Sequence, residues 1–201
     1  MLRSLSLVCL AIAFCSPVLA ADAVKPVFRK PSADAAAHLQ KQRQFVADLV
    51  RQHFPGDKIT RTSTDFALLQ KIVDAKVLKK EETWKFQSLG IVFGDALTHT
   101  IDGLAWWEVT DEYGTDPTLR YRETTLHLNA LTMISKRIED GRDVEVQHMA
   151  DWLAEFVRTK GHEYEKTPNQ SPEPTAPSGR RGSSNVRQKS DAATTGNTTH
   201  R

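Results

Sequence analysis

Seven charged residues between positions 95 and 139 are the chain's candidates for chemistry: Asp95, Glu112, Asp116, Arg120, Lys136, Arg137 and Glu139. Asp95 interrupts the apolar run SLGIVFGDAL at residues 88–97. An ionised carboxylate in such surroundings is costly unless it is paired. Arg120 follows a turn sequence, and its planar guanidinium fork is shaped to hold a carboxylate. Two chemistries suit this set. Glu112, Asp116, Arg120, Lys136 and Arg137 could form an acid–base or anion-binding site at the open end of a hairpin. Alternatively, Asp95 and Arg120, with Arg137 or Lys136, could form a buried ion network that pins the hairpin to helices. The structural reading is preferred, because ion pairs perturb ionisation without any catalysis.

Other reactive residue types are sparse. Glu145 and His148 form an E-x-x-H, but di-iron bundles need that motif twice plus two further glutamates, so no metal is expected. His38, His53, His99, His127 and His162 show no paired ligand spacing. Ser63, Ser88 and Ser135 lie in no nucleophile-elbow context. There is no P-loop, no dinucleotide-binding glycine pattern and no H-E-x-x-H, so no cofactor is expected. Trp106 and Trp107 are adjacent, and on a strand they face opposite sides. One can enter a core while the other is exposed or covered by a helix or partner. Exposed tryptophan is enriched at interaction hot spots, so Trp106, with Tyr113 nearby, marks the hairpin as a candidate binding surface.

The elements that must position these residues follow from periodicity. Leu39, Gln42, Val46, Leu49, Val50 and His53 trace one face of a helix that starts at Ser32 or Asp34 and stops before Pro55-Gly56. Thr64 or Asp65 caps a shorter helix carrying Phe66, Leu69, Ile72 and Val73. Residues 81–99 are apolar nearly all round, which predicts a central buried helix. Gly90 and Gly94, four apart, open a groove for another element. The period then changes to two from Trp106 to Tyr113. Gly114-Thr115-Asp116-Pro117 reads as the turn, and residues 119–128 as the returning strand. Asn129 caps a helix with Leu131, Ile134 and Ile138, ended by Gly141. Asp143 opens a last helix striped with Val146, Met149, Ala150, Leu153, Phe156 and Val157. The expected class is α+β: a small antiparallel hairpin or sheet covered by about five helices.

The segments FQSLGIVFGDAL, DEYGTDPTLRY and LTMISKRIE, in this order and spacing, resemble the bacterial domain-of-unknown-function family 3806 over roughly residues 84–157. The resemblance implies a small bacterial domain and carries no established reaction, substrate or cofactor. Glu123-Thr124 depart from the pattern, which often has glycine there.

The ends of the chain differ from its middle. Residues 1–20 join a positive start at Arg3 to a short apolar run and the small residue Ala20. That is the pattern of a secretory leader cleaved after Ala20, and the run is too short for a membrane anchor. Both cysteines, Cys9 and Cys15, lie in it, so the mature chain has no thiol for a disulfide or a zinc–thiolate site. Residues 167–201 are rich in Pro, Gly, Ser and Thr and read as a disordered tail. The tail carries net +3, which leaves net −2 on residues 21–166. The basic character therefore belongs to the tail, whose sparse arginines lack interleaved aromatics and do not point to nucleic acid. One domain over residues 32–166 is expected. The composite expectation is a periplasmic or secreted protein with no membrane anchor after leader cleavage. It would bind an unidentified protein or peptide through the hairpin, and the missing motifs lean away from an enzyme. The alternative is an envelope hydrolase built on the carboxylate and arginine cluster.

Overall fold

Apolar side chains recur on almost every side of residues 83–100, and a helix of that kind can only be satisfied in the middle of a fold. In the computed structural model, which describes residues 25–164, that helix is α3, Thr83–Thr100. Leu89, Ile91, Val92, Phe93, Ala96 and Leu97 of α3 are fully buried. Around it pack α1 (Ala33–His53), α2 (Thr64–Asp74), α4 (Ala130–Glu139) and α5 (Val146–Lys160), together with the strand β2 (Leu104–Asp111). A 3-10 turn, Gly161–Glu163, follows α5. The two glycines of α3 admit close neighbours. A Cβ on Gly90 would lie 2.4 Å from the Leu131 carbonyl oxygen, and one on Gly94 would lie 2.5 Å from the Trp106 ring.

Four antiparallel strands form one sheet in the order β1-β2-β3-β4, where β1 is Val27–Arg29, β3 is Gly114–Tyr121 and β4 is His127–Leu128. The α+β class and the five helices agree with the sequence. Three details of the sheet do not. First, β1 precedes residue 32, where the domain was expected to begin, and pairs Phe28 with Val109. Its three residues are too few to show a period. Second, Asp111 pairs with Gly114, so the turn is Glu112-Tyr113 and not Gly114–Pro117. The Asp111 carboxylate accepts the Tyr113 N–H at 2.8 Å and supplies the turn chemistry. Pro117, which pairs with Glu108 of β2, is tolerated inside β3 because β4 pairs only with Leu119 and Arg120, leaving no strand on the other side of the proline. Third, the expected strand 119–128 breaks at Arg122 and Glu123, whose φ values are +44° and +61°. The Thr124 N–H closes this turn on the Tyr121 carbonyl at 2.8 Å. Left-handed φ favours glycine, which is the residue whose absence at this point marked the departure from the family pattern.

The pleat divides the sheet into two unlike faces. Leu104, Trp106, Leu119, Tyr121 and Leu128 face the helices. Phe28, Trp107 and Val109 form a second, smaller cluster on the other face. There the Phe28 ring from one edge strand meets the His127 ring from the other at 5.3 Å, so the sheet curls over that cluster.

Helix ends are fixed by long-range contacts as much as by local caps. Ser32 caps α1 as expected, its Oγ accepting the Ala35 N–H at 3.2 Å. Asp65 lies inside the first turn of α2 and accepts from Thr60 N–H and Oγ–H and from Arg61 N–H at 2.7–2.9 Å. Asn129 precedes α4 but spends its Oδ1 on Thr118 Oγ–H. The start of α5 moves from Asp143 to Val146, where Gln70 of α2 accepts the Val146 N–H at 2.8 Å and donates to the Val144 carbonyl at 3.0 Å.

β1 is held by one carboxylate. Glu108 accepts Arg29 Nε–H at 3.1 Å, Arg29 Nη2–H at 3.2 Å and the Ser32 backbone N–H at 2.8 Å. The Arg29 guanidinium first, and the Ser32 amide as well, hold Glu108 below its ordinary pKa of 4.5, against the opposing effect of burial. A lowered folded pKa adds stability that is complete above 4.5 and is lost as pH falls through the lower folded value. Glu108→Gln should therefore melt below wild type near pH 7, and the gap should narrow as the pH is lowered below 4.5. Thermal melts across that range test this, and a gap that stays constant would refute it.

Gln42 occupies the buried face of α1 with no exposed surface, and among the described residues neither its Nε2 nor its Oε1 has a hydrogen-bond partner. A buried, unsatisfied amide costs about 1–3 kcal/mol. Gln42→Met, close in shape, should raise stability by roughly that amount. Urea unfolding measures it, and a lower midpoint would contradict it.

Candidate functional site

The charged candidates do not converge; they fall into separate places. The Asp95 carboxylate lies where α3 faces α1. Arg43 of α1 donates Nε–H to Oδ2 and Nη2–H to Oδ1, both at 2.7 Å. The Trp106 indole N–H donates to Oδ1 at 2.9 Å. Arg61 completes the group, with its Nε 3.8 Å from Oδ2. Arg61 is presented by the loop that Asp65 fastens, at a φ of +59°. The ion network expected between Asp95, Arg120 and Arg137 is thus corrected: Asp95 does need a cation, and the cation is Arg43. The reason is the pleat. Trp106, the residue of β2 that reaches Asp95, lies on the helix-facing side, and Arg120 pairs with Ala105 on the opposite side. The same contact corrects the reading of Trp106 as an exposed partner contact. Its ring fills the notch at Gly94 and packs against the helical core.

Arg120 is 2% exposed. Its guanidinium carbon lies 4.4 Å from the Phe28 ring centroid and 4.6 Å from that of Trp107. Its Nε–H donates to the Thr124 carbonyl at 2.7 Å and its Nη2–H to the Glu123 carbonyl at 2.6 Å. The left-handed turn at Arg122 and Glu123 aims these carbonyls inward. Burial lowers the Arg120 pKa, and the charge of Glu123 opposes that shift; an arginine stays cationic through such a change. Lys30 lies over Trp107, 3.8 Å from the ring centroid. This arrangement is a cation–π core of the curled face. It is not an anion-binding cleft at the end of the hairpin.

The remaining candidates are at the surface. Glu112, Tyr113 and Asp116 stand at the hairpin tip, with Tyr113 86% exposed. Lys136 is exposed on the last turn of α4. Arg137, half-buried, donates to the Met133 carbonyl at 3.0 Å. Glu139 accepts from Thr83 Oγ–H at 2.8 Å. Glu145 and His148 lie 3.6 Å apart on exposed surface. Ser88 and Ser135 donate to helix carbonyls, as serines inside helices commonly do. Among the described residues, no group of three His, Cys, Asp or Glu is placed to hold a metal ion.

One surface was not legible as a site. Between α4 and α5 runs a groove of about 290 Å³ lined by Met133, Arg137, His148, Met149, Trp152 and Leu153. Trp152 is 59% exposed and stacks on Phe156 with centroids 5.4 Å apart and planes 14° from parallel. The signal in the sequence was Trp152 itself, a large aromatic outside the apolar stripe of its helix. A second cleft, about 630 Å³, lies between α2, the loop after it and the α4–α5 connection. Lys76, Lys80 and Arg142 and the acidic Asp74, Asp143 and Glu145 share its lining, which gives it no single charge.

Replacing either partner of the Asp95–Arg43 pair leaves a buried or half-buried charge uncompensated, at about 3–5 kcal/mol. Asp95→Ala and Arg43→Ala should each destabilise on that scale, and the double replacement should lose clearly less than their sum. Lys136→Ala should stay within about 0.5 kcal/mol of wild type. Chemical denaturation decides it, and an Arg43→Ala protein as stable as wild type would remove the pair from its structural role.

Residues 65–149 match the family model "Domain of unknown function (DUF3806)". The match begins at Asp65, so Arg43, Arg29 and Phe28, which complete the groups around Asp95, Glu108 and Arg120, lie ahead of it. No curated protein matches the sequence. A crystal structure of a protein from Bacteroides thetaiotaomicron VPI-5482 shares the fold, with a TM-score of 0.59 at 13% identity over 66% of this chain. This chain spans about half of that neighbour, 48%, and the likeness concerns the fold alone. The α3 helix with its glycine notches, the hairpin and α4 thus all lie within residues 65–149, the part of this chain that is similar to the DUF3806 family model.

Proposed function

We propose that the protein is an exported binding domain for another protein or a peptide, and that the α4–α5 groove is its principal contact surface. The observation that carries this reading is the Trp152–Phe156 stack, which stands exposed beside a groove floored by Met149 and Leu153. Large exposed aromatics beside a concave apolar surface are the usual anchors of protein contacts. A hydrolase built on Asp95 and Arg120 would need both groups open to one cleft. Here the Asp95 carboxylate is closed by Arg43 and Trp106, and Arg120 is buried on the other face of the sheet. The hairpin tip, where Tyr113 is exposed, is the alternative contact surface.

Export is supported by residues 1–20, which lie outside the described residues, as does the tail from 167 onward. Among the described residues no helix is long and apolar enough to cross a membrane.

A peptide-display selection on residues 21–201 tests the reading. Wild type should enrich a recurrent peptide pattern, Trp152→Ala should lose it, and Tyr113→Ala should keep it. Loss with Tyr113→Ala alone would move the site to the hairpin. No enrichment over a bare support would overturn the binding reading.

A further inference from the structure

Resting on that reading, we infer that the α4–α5 groove takes an acidic amphipathic peptide, its apolar side on the methionines and its carboxylates on the α4 rim. The first support is the floor. The chain has three methionines, and both internal ones, Met133 and Met149, line this groove. Methionine is unbranched and polarizable and adapts to differing apolar side chains. Two facing helices with such a floor suit a helical or extended peptide laid between them.

The second support is charge. The rim carries Arg137 and His148 and no carboxylate among the groove-lining residues. Near the groove, the acidic residues of α5 are already engaged, Asp151 with Gln147 and Glu155 with Arg158, and Glu145 just ahead of the helix lies against His148. Among the described residues, no ion pair engages Arg137 or Lys136, the two cations of the last turn of α4. A carboxylate delivered by a partner would meet these two cations at that edge, where Glu139 of the same turn is engaged by Thr83. Residues 167–201 of the chain itself carry net +3, a charge that does not complement that edge. A second copy would have to offer its acidic hairpin tip, where Asp111, Glu112 and Asp116 surround Tyr113, and that occupant is separable by experiment.

The test uses protein of residues 21–201 labelled with carbon-13 at the methionine methyls, which places two reporters in the groove. The probes are a short synthetic helical peptide with leucine and phenylalanine on one face and glutamate on the other, its lysine-for-glutamate counterpart, and phosphatidylglycerol vesicles. The acidic peptide should shift both Met133 and Met149 signals and bind roughly 10-fold or more tightly than the lysine peptide. Added salt should narrow that preference. Arg137→Glu should abolish or reverse it, and Lys136→Glu, an exposed position, should weaken it without affecting the fold. Equal binding of the two peptides would overturn the acidic assignment while leaving a binding groove in place. Shifts with vesicles alone would assign the groove to a lipid surface, and shifts on raising protein concentration alone would assign it to a second copy; either overturns the inference. If neither peptide binds and display selection also fails, the binding reading falls with it.

Discussion

A carboxylate set in the most apolar helix of a chain has to be matched where it stands, because removing a charge from water is compensated only by well-placed donors. Asp95 is that carboxylate, and satisfying it draws four parts of the fold to one point. Arg43 comes from α1, Trp106 from β2 and Arg61 from the loop that Asp65 fastens ahead of α2. The Trp106 indole can reach Oδ1 only because Gly94, one residue before Asp95, leaves room for its ring. The sheet, the first helix and the loop are therefore located with respect to α3 by one acceptor. Packing alone would leave their register less determined, since apolar contacts are non-directional.

The pleat of the sheet has the second largest consequence. It separates the Asp95 group from Arg120, so two buried charges that are close in sequence to one hairpin serve different faces. On the helix side the carboxylate is answered by the Arg43 guanidinium. On the curled side it is answered by aromatic faces and two carbonyls. The turn that supplies those carbonyls holds two non-glycine residues at positive φ. Strain of that kind persists where surrounding bonds over-determine it, and the Arg120 contacts are such bonds. Glu108 plays the matching part at the other edge, tying β1 and the start of α1 to β2.

With its charged interior spent on architecture, the molecule has its unbalanced features outside. The largest are Trp152 beside the methionine-floored groove and Tyr113 at an acidic hairpin tip. The proposed binding role rests on these two exposed aromatic features.

The sequence by itself determined the α+β class, the central position of α3, the closeness of neighbours at Gly90 and Gly94, and the need of Asp95 for a cation. Each rests on a local property: the all-round apolarity of one helix, two missing side chains, one charge in an apolar run. It did not determine which cation, since Arg43 is 52 residues away and only the packing of α1 on α3 brings them together. It missed β1, whose three residues show no period and become a strand only by pairing with β2. It misplaced the hairpin turn by assigning Gly114 and Pro117 to a loop, where the register and the short β4 make both acceptable in a strand. The groove was hidden for the same reason: Met133 and Trp152 belong to separate helices, and their shared surface exists only once α4 and α5 lie side by side. Local side-chain chemistry can be read along a chain, but partners, register and concave surfaces are properties of distant segments meeting, and only the tertiary structure decided them.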